Sequence, residues 1–190
     1  MIQYLNFLHT TVQFDLADDA VDVFAPIHRF FRHLMGDTPA QQPTFRIAVH
    51  GYDPSTDVDA EVWRLPLSVI RRSNAAEFNF DAHVVDRGGR RLYVNRATLL
   101  DAPVDARKDD TFHLRLTEGS VVQVLDFVRD LVIRHEEDLG TVVLHASGAH
   151  RRRSGDHRRA QGRGQDHHPA VGAASAHLAV LHRRQALLHP

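Results

Sequence analysis

Over residues 1–148 the apolar positions mostly alternate with the two-residue period of strands, and twice they change to the period of a helix. Residues 3–15, QYLNFLHTTVQFD, carry the β-branched and aromatic side chains of an opening strand. Ala20, Val23, Phe24, Ile27, Phe30, Phe31 and Leu34 then follow i, i+3, i+4, i+7 spacing. This predicts a helix with one buried face, capped by Asp18 or Asp19 and running to about Met35. Pro26 should kink it or mark a late start. Gly36-Asp37 ends it, and TPAQQP is a loop.

Strands are predicted at Phe45–His50, Val62–Arg71, Phe78–Asp86, Arg90–Val94 and Thr111–Leu116. Arg87-Gly88-Gly89-Arg90 marks a tight hairpin whose glycines are free to take positive φ. A second helix is predicted from a Ser120 cap to about His135, with Val121, Val124, Leu125, Val128, Leu131 and Val132 as its buried stripe and Gly140 after its end. TVVLHAS, Thr141–Ser147, then reads as a short buried strand. The pattern predicts an α+β fold for residues 1–140: a mixed, mainly antiparallel sheet with two helices.

After Gly148 the alphabet contracts. Residues 149–190 use ten residue types, and Phe, Ile, Tyr, Trp, Met, Lys, Glu, Thr, Asn and Cys all disappear together. Charge divides at the same place. The tail has 8 arginines against Asp156 and Asp166, a balance of +6, which leaves 15 basic and 22 acidic residues, −7, in residues 1–148. Elsewhere composition excludes more than it suggests. Without cysteine there is no disulfide framework and no thiolate chemistry, which fits a reducing cytoplasm. The start of the chain lacks a signal-peptide pattern, and no apolar run is long enough to span a membrane. The expectation is a cytoplasmic protein with no membrane contact.

Two readings of the tail compete. As a basic appendage it offers seven histidines, but His167 and His168 are adjacent and point apart on any regular element, and no zinc spacing is present. Its arginines would attract phosphate, yet it has no Phe, Tyr or Trp on which bases could stack, so no specific nucleic-acid partner is expected. The alternative is translation in a shifted frame. Lys108 is the only lysine, which indicates GC-rich coding DNA. Read one nucleotide later, Gln161 before Gly162 and Gln165 before Asp166 each yield a codon restricted to Lys or Arg. The series Asp166-His167-His168-Pro169 yields three codons restricted to Thr or Ile. From Arg158 onward the shifted peptide can read G-G-P-K-G-A-G-K-T-T-T-L-L. That is a G-x-x-x-x-G-K-T phosphate loop, in which backbone N–H groups wrap phosphates, the lysine reaches the outer phosphates and the Thr holds magnesium.

A helix, then Gly140 and TVVLHAS, then a phosphate loop in the shifted frame, resembles the HPr serine kinase-like family of P-loop kinases, within the phosphoenolpyruvate-carboxykinase-like group. The resemblance covers about eight translated residues, 140–147. It implies an ATP-dependent kinase or phosphotransferase using magnesium, with His145 near the phosphates. Residues 141–148 would then be the first strand of a truncated P-loop α/β domain, and 149–190 an out-of-frame, disordered tail. As translated the chain departs from the family. Gly162 and Gly164 remain, but Gln165 and Asp166 stand where Lys and Thr belong, and a carboxylate there repels phosphate. The carboxylates for magnesium and the acceptor hydroxyl would lie beyond Pro190. The expectation is an amino-terminal kinase fragment that binds neither ATP nor magnesium. The alternative is a non-enzymatic domain that binds a protein partner and carries a basic His/Arg-rich tail.

Other polar residues suggest less. Asp109-Asp110 and Glu136-Glu137-Asp138 are read as solvated caps. Trp63 is read as core, and His113 and Arg115 as the wet face of a strand. His50-Gly51-Tyr52-Asp53 would line a pocket only if something paired with it, and the pattern identifies no partner.

Overall fold

The computed structural model describes residues 1–71, 80–104, 111–144 and 179–181. The chain divides into two compact units, 1–136 and 137–190. In the first, nine strands make one mixed sheet: β1 Ile2–Phe7, β2 Thr10–Leu16, β3 Met35–Gly36, β4 Phe45–Gly51, β5 Leu67–Arg71, β6 Phe80–Arg87, β7 Arg90–Val94, β8 Thr98–Pro103 and β9 Thr111–Leu116. Their order is β3-β1-β2-β4-β9-β8-β7-β6-β5. Only β2–β4 and β4–β9 run parallel. Helix α1, Val21–Phe30, makes the crossover that the parallel β2–β4 pair requires, and α2, Val121–Asp138, follows β9. The fold is α+β with a mostly antiparallel sheet and two helices, as the pattern predicts.

Strand alternation explains where the core lies. Register aligns Phe14, Ile47 and Phe112 in one row and Leu16, Val49, Leu114 and Leu100 in the next. Both helices cover this face, with Phe24 and Ile27 from α1 and Val124, Val128 and Val132 from α2. The Phe14 and Phe24 rings lie 4.9 Å apart. Each fully buried side chain of this size contributes about 1.5–3 kcal/mol. On the opposite face a smaller cluster forms where Val58, Val62 and Trp63 fold over Tyr52, Val94 and Leu99.

The structure departs from the pattern at several points. The opening strand is a hairpin: β1 and β2 pair with Phe7 opposite Thr10, leaving Leu8 and His9 as the turn. No glycine signals it, and Leu8 takes φ 43°. That left-handed conformation costs a residue with a Cβ about 1–2 kcal/mol. Leu8→Gly is therefore expected to stabilise the domain by about 0.5–1 kcal/mol, read as a higher urea midpoint; a lower midpoint would contradict it. The other hairpin is as expected, with Gly88 and Gly89 at φ 59° and 80° between Arg87 and Arg90.

Helix α1 stops at Phe30, and Met35–Gly36 joins the sheet beside β1 instead of extending the helix. Phe30 consequently points outward, 60% exposed. Pro26 lies inside α1, on its exposed side, where water can take up the freed carbonyl. Neither Asp18 nor Asp19 caps the helix; both lie in a 3-10 turn before it. The predicted strand Val62–Arg71 is divided by Pro66 into a 3-10 turn, Val62–Arg64, and β5. The pattern also misses β8. Thr117, not Ser120, caps the turn leading into α2: its Oγ1 accepts from the Gly119 N–H at 3.2 Å, and the Ser120 hydroxyl donates to the Thr117 carbonyl at 2.6 Å.

In the second unit β10, Val142–Leu144, pairs antiparallel with β11, Ala179–Leu181. Gly140, at φ 81°, follows the end of α2 as expected. Among the described residues no helix is long and apolar enough to cross a membrane.

Candidate functional site

His145, the residue the kinase resemblance singles out, lies outside the described residues, as do Asp109, Asp110, Gly162, Gly164, Gln165 and Asp166. The chemistry that can be placed is in residues 1–136.

The reading of Glu136 as a solvated cap is overturned. Its side chain is fully buried. The i+4 ladder of α2 places it directly after Val124, Val128 and Val132 on the inward stripe. There its carboxylate accepts from the His9 N–H at 2.9 Å and from the Thr10 hydroxyl at 2.7 Å, and lies 3.1 Å from His9 Nδ1. Thr10 Oγ1 also lies 2.9 Å from His135 Nδ1, and the His135 ring packs edge-on against Phe45 at 5.4 Å. The buried carboxylate thus fastens the strained β1–β2 turn to the end of α2. The hydroxyl among these contacts, that of Thr10, is fully buried, so they tie the hairpin to the helix.

A pocket of about 490 Å³ opens between α2 and the inner face of β5–β9. Phe80, Tyr93, Leu100, Leu114, Phe127 and Leu131 give it an apolar lining. Gln123 supplies a fixed polar group, its Oε1 accepting from the Thr98 hydroxyl at 2.7 Å and from Asn95 Nδ2 at 3.4 Å. Asp126 lies on the wall in an ion pair with Arg129 at 2.8 Å. This size and lining suit a small, largely apolar ligand.

On the other face, the segment after β4 does find partners, contrary to the sequence reading. The Tyr52 hydroxyl donates to the Asn95 carbonyl at 2.9 Å. Arg115, next to His50 in register, pairs with Asp57 at 2.7 Å. Asp53 accepts from the N–H and hydroxyl of Ser55, and these bonds hold its carboxyl below the usual range. Trp63 is half-buried, edge-on to His83 and covered by Arg96 at 5.4 Å. His113 faces solvent, as expected.

Burial, reinforced by the Asp57 charge and opposed by Arg115 and Arg96, pushes the Tyr52 phenol up to about 12. Because the folded value exceeds the ordinary 10.0, stability from Tyr52 is complete below pH 10 and is lost as pH rises toward 12. An ultraviolet phenol titration should show a late-ionising step, and Tyr52→Phe should remove it. Persistence of the step in the variant would refute the assignment.

Among the described residues no group of three or more His, Cys, Asp or Glu could hold a metal ion. Compared with known proteins, the chain matches no family profile, no curated protein and no solved structure.

Proposed function

We propose that this chain is the amino-terminal portion of a cytoplasmic, ATP-dependent HPr serine kinase-like phosphotransferase. In this reading residues 1–136 recognise a ligand or protein partner. The phosphate chemistry belongs to the sequence that residues 149–190 overlie in another frame. The observation that carries the proposal is the set of restricted codons: Lys/Arg twice, four codons apart, the second followed at once by three Thr/Ile. A phosphate loop also needs a strand closely upstream, and Val142–Leu144 is one. As translated, Gln165 and Asp166 offer neither the lysine nor the metal-binding hydroxyl that stabilise charge in phosphoryl transfer. The chain itself is therefore inactive. Shifting the coding frame by one nucleotide between codons 148 and 158 tests the proposal. A long frame that binds ATP with magnesium supports it, and a frame that stops within a few codons defeats it.

A second reading, a non-enzymatic binding domain with a natural basic tail, draws support from the closed core of residues 1–136 and the apolar pocket within it. An early stop in the shifted frame would favour this reading.

A further inference from the structure

We propose that the pocket between α2 and the inner face of the sheet binds an uncharged small molecule with an apolar body and a ketone or ester carbonyl, and that Gln123 holds the carbonyl oxygen. This deepens the reading of residues 1–136 as a ligand-binding region and is independent of the frame of residues 149–190. The orientation of the Gln123 amide is fixed by a relay that starts in the backbone. Asn95 Oδ1 accepts from the N–H groups of Ala97 at 2.9 Å and Thr98 at 2.8 Å. The other end of that amide, Nδ2, then donates to the Asp81 carbonyl and to Gln123 Oε1, both at 3.4 Å. The Thr98 hydroxyl donates to the same Oε1 at 2.7 Å. With its oxygen engaged in this way, the planar Gln123 amide has its two Nε2 hydrogens left to offer.

Those hydrogens find no acceptor among the described residues. Nor is Nε2 sealed off: among the described residues, the side-chain polar atoms buried without a partner are Gln3 Oε1 and Asp81 Oδ1. Gln123 thus brings a solvent-accessible donor, on a half-buried side chain, to the wall of an apolar pocket. A ligand that enters must supply an acceptor there. The acceptor should be uncharged, because Asp126 and Asp130 line the same wall within two turns of Gln123 and repel an anion. Arg134, the cation among the described lining residues, lies about 16 Å further along the helix. A ketone or ester carbonyl meets these conditions and brings no proton of its own to be stranded against the apolar wall. Phe80, Leu100, Leu114 and Phe127 receive the rest of the molecule.

Calorimetric titration of the full chain with butyrophenone should show saturable binding. Butylbenzene, which lacks the oxygen, and 4-phenylbutanoate, which carries a charge, should each bind about five-fold more weakly. Gln123→Glu keeps an oxygen for Thr98 and Asn95 and replaces the donor by a second acceptor, so it should erase the preference for butyrophenone over butylbenzene. Leu131→Trp fills the apolar part and should abolish binding of all three while the chain still unfolds cooperatively in urea. If butyrophenone does not saturate the parent chain, or binds Leu131→Trp equally well, the site does not exist. Equal binding of butyrophenone and butylbenzene by the parent chain, or an unchanged preference in Gln123→Glu, overturns the role of Gln123. The frame-shift experiment reads ATP binding, so the two proposals fail separately.

Discussion

Glu136→Ala is expected to destabilise the 1–136 unit by about 2–4 kcal/mol, through the donors it leaves buried and unsatisfied. For a domain of this size that lowers the thermal midpoint by roughly 10 °C. Two features make the carboxylate costly to lose. It is fully buried, so the cavity that alanine leaves is closed to solvent. It also accepts from the backbone N–H of His9, which belongs to the hairpin turn where Leu8 is already strained. Part of the loss is recoverable. The His9 side chain is 48% exposed and can turn to water, and the Thr10 hydroxyl can turn to His135. Glu136→Gln keeps an acceptor oxygen and should cost about 1 kcal/mol less than alanine. The neighbouring Glu137 is exposed, and its alanine variant should stay within about 0.5 kcal/mol of the parent. Urea unfolding distinguishes the three, and equal midpoints for the 136 and 137 alanine variants would sink the idea.

The same residue shows how far sequence reasoning reaches. The valines of α2 are legible because apolar side chains at helical spacing have one plain interpretation. Glu136 continues that spacing by one more i+4 step, but its charge argues for solvent. Only the hairpin that brings His9 and Thr10 opposite it makes burial affordable. Contacts between residues more than a hundred positions apart leave no local trace. β4, β7 and β9 were readable because alternation and the Gly88-Gly89 turn agree. β8 was not, because TLLDAP sets two leucines side by side and ends in Asp-Ala-Pro, so apolar and polar positions do not alternate. The hairpin at Leu8-His9 lacks turn chemistry altogether, and tertiary pairing imposes it at the cost of strain. The pocket was equally hidden, because it needs α2 set against five strands.

The largest change in activity should come from one nucleotide. The chain as translated should show no saturable, magnesium-dependent ATP binding, because Asp166 adds negative charge beside Gly164 where an anion must enter. In the shifted frame the codon overlapping Gln165 becomes Lys or Arg, and those overlapping Asp166, His167 and His168 become Thr or Ile. Lysine followed by threonine would create a cation for the outer phosphates and a hydroxyl for magnesium. The frame-shifted protein should therefore bind ATP only with magnesium. Replacing that new lysine by alanine should reduce phosphoryl transfer by roughly 10²–10³-fold, the scale set by losing one aligned charge-stabilising group. Folding offers an independent control. The core of residues 1–136 lies wholly upstream of the shift, so the Tyr52 titration and the cost of Glu136→Ala should be the same in both proteins. Saturable, magnesium-dependent ATP binding by the unshifted chain would overturn the claim of inactivity. A shifted protein that folds normally yet ignores ATP would remove the kinase reading and leave residues 1–136 as a binding domain in their own right.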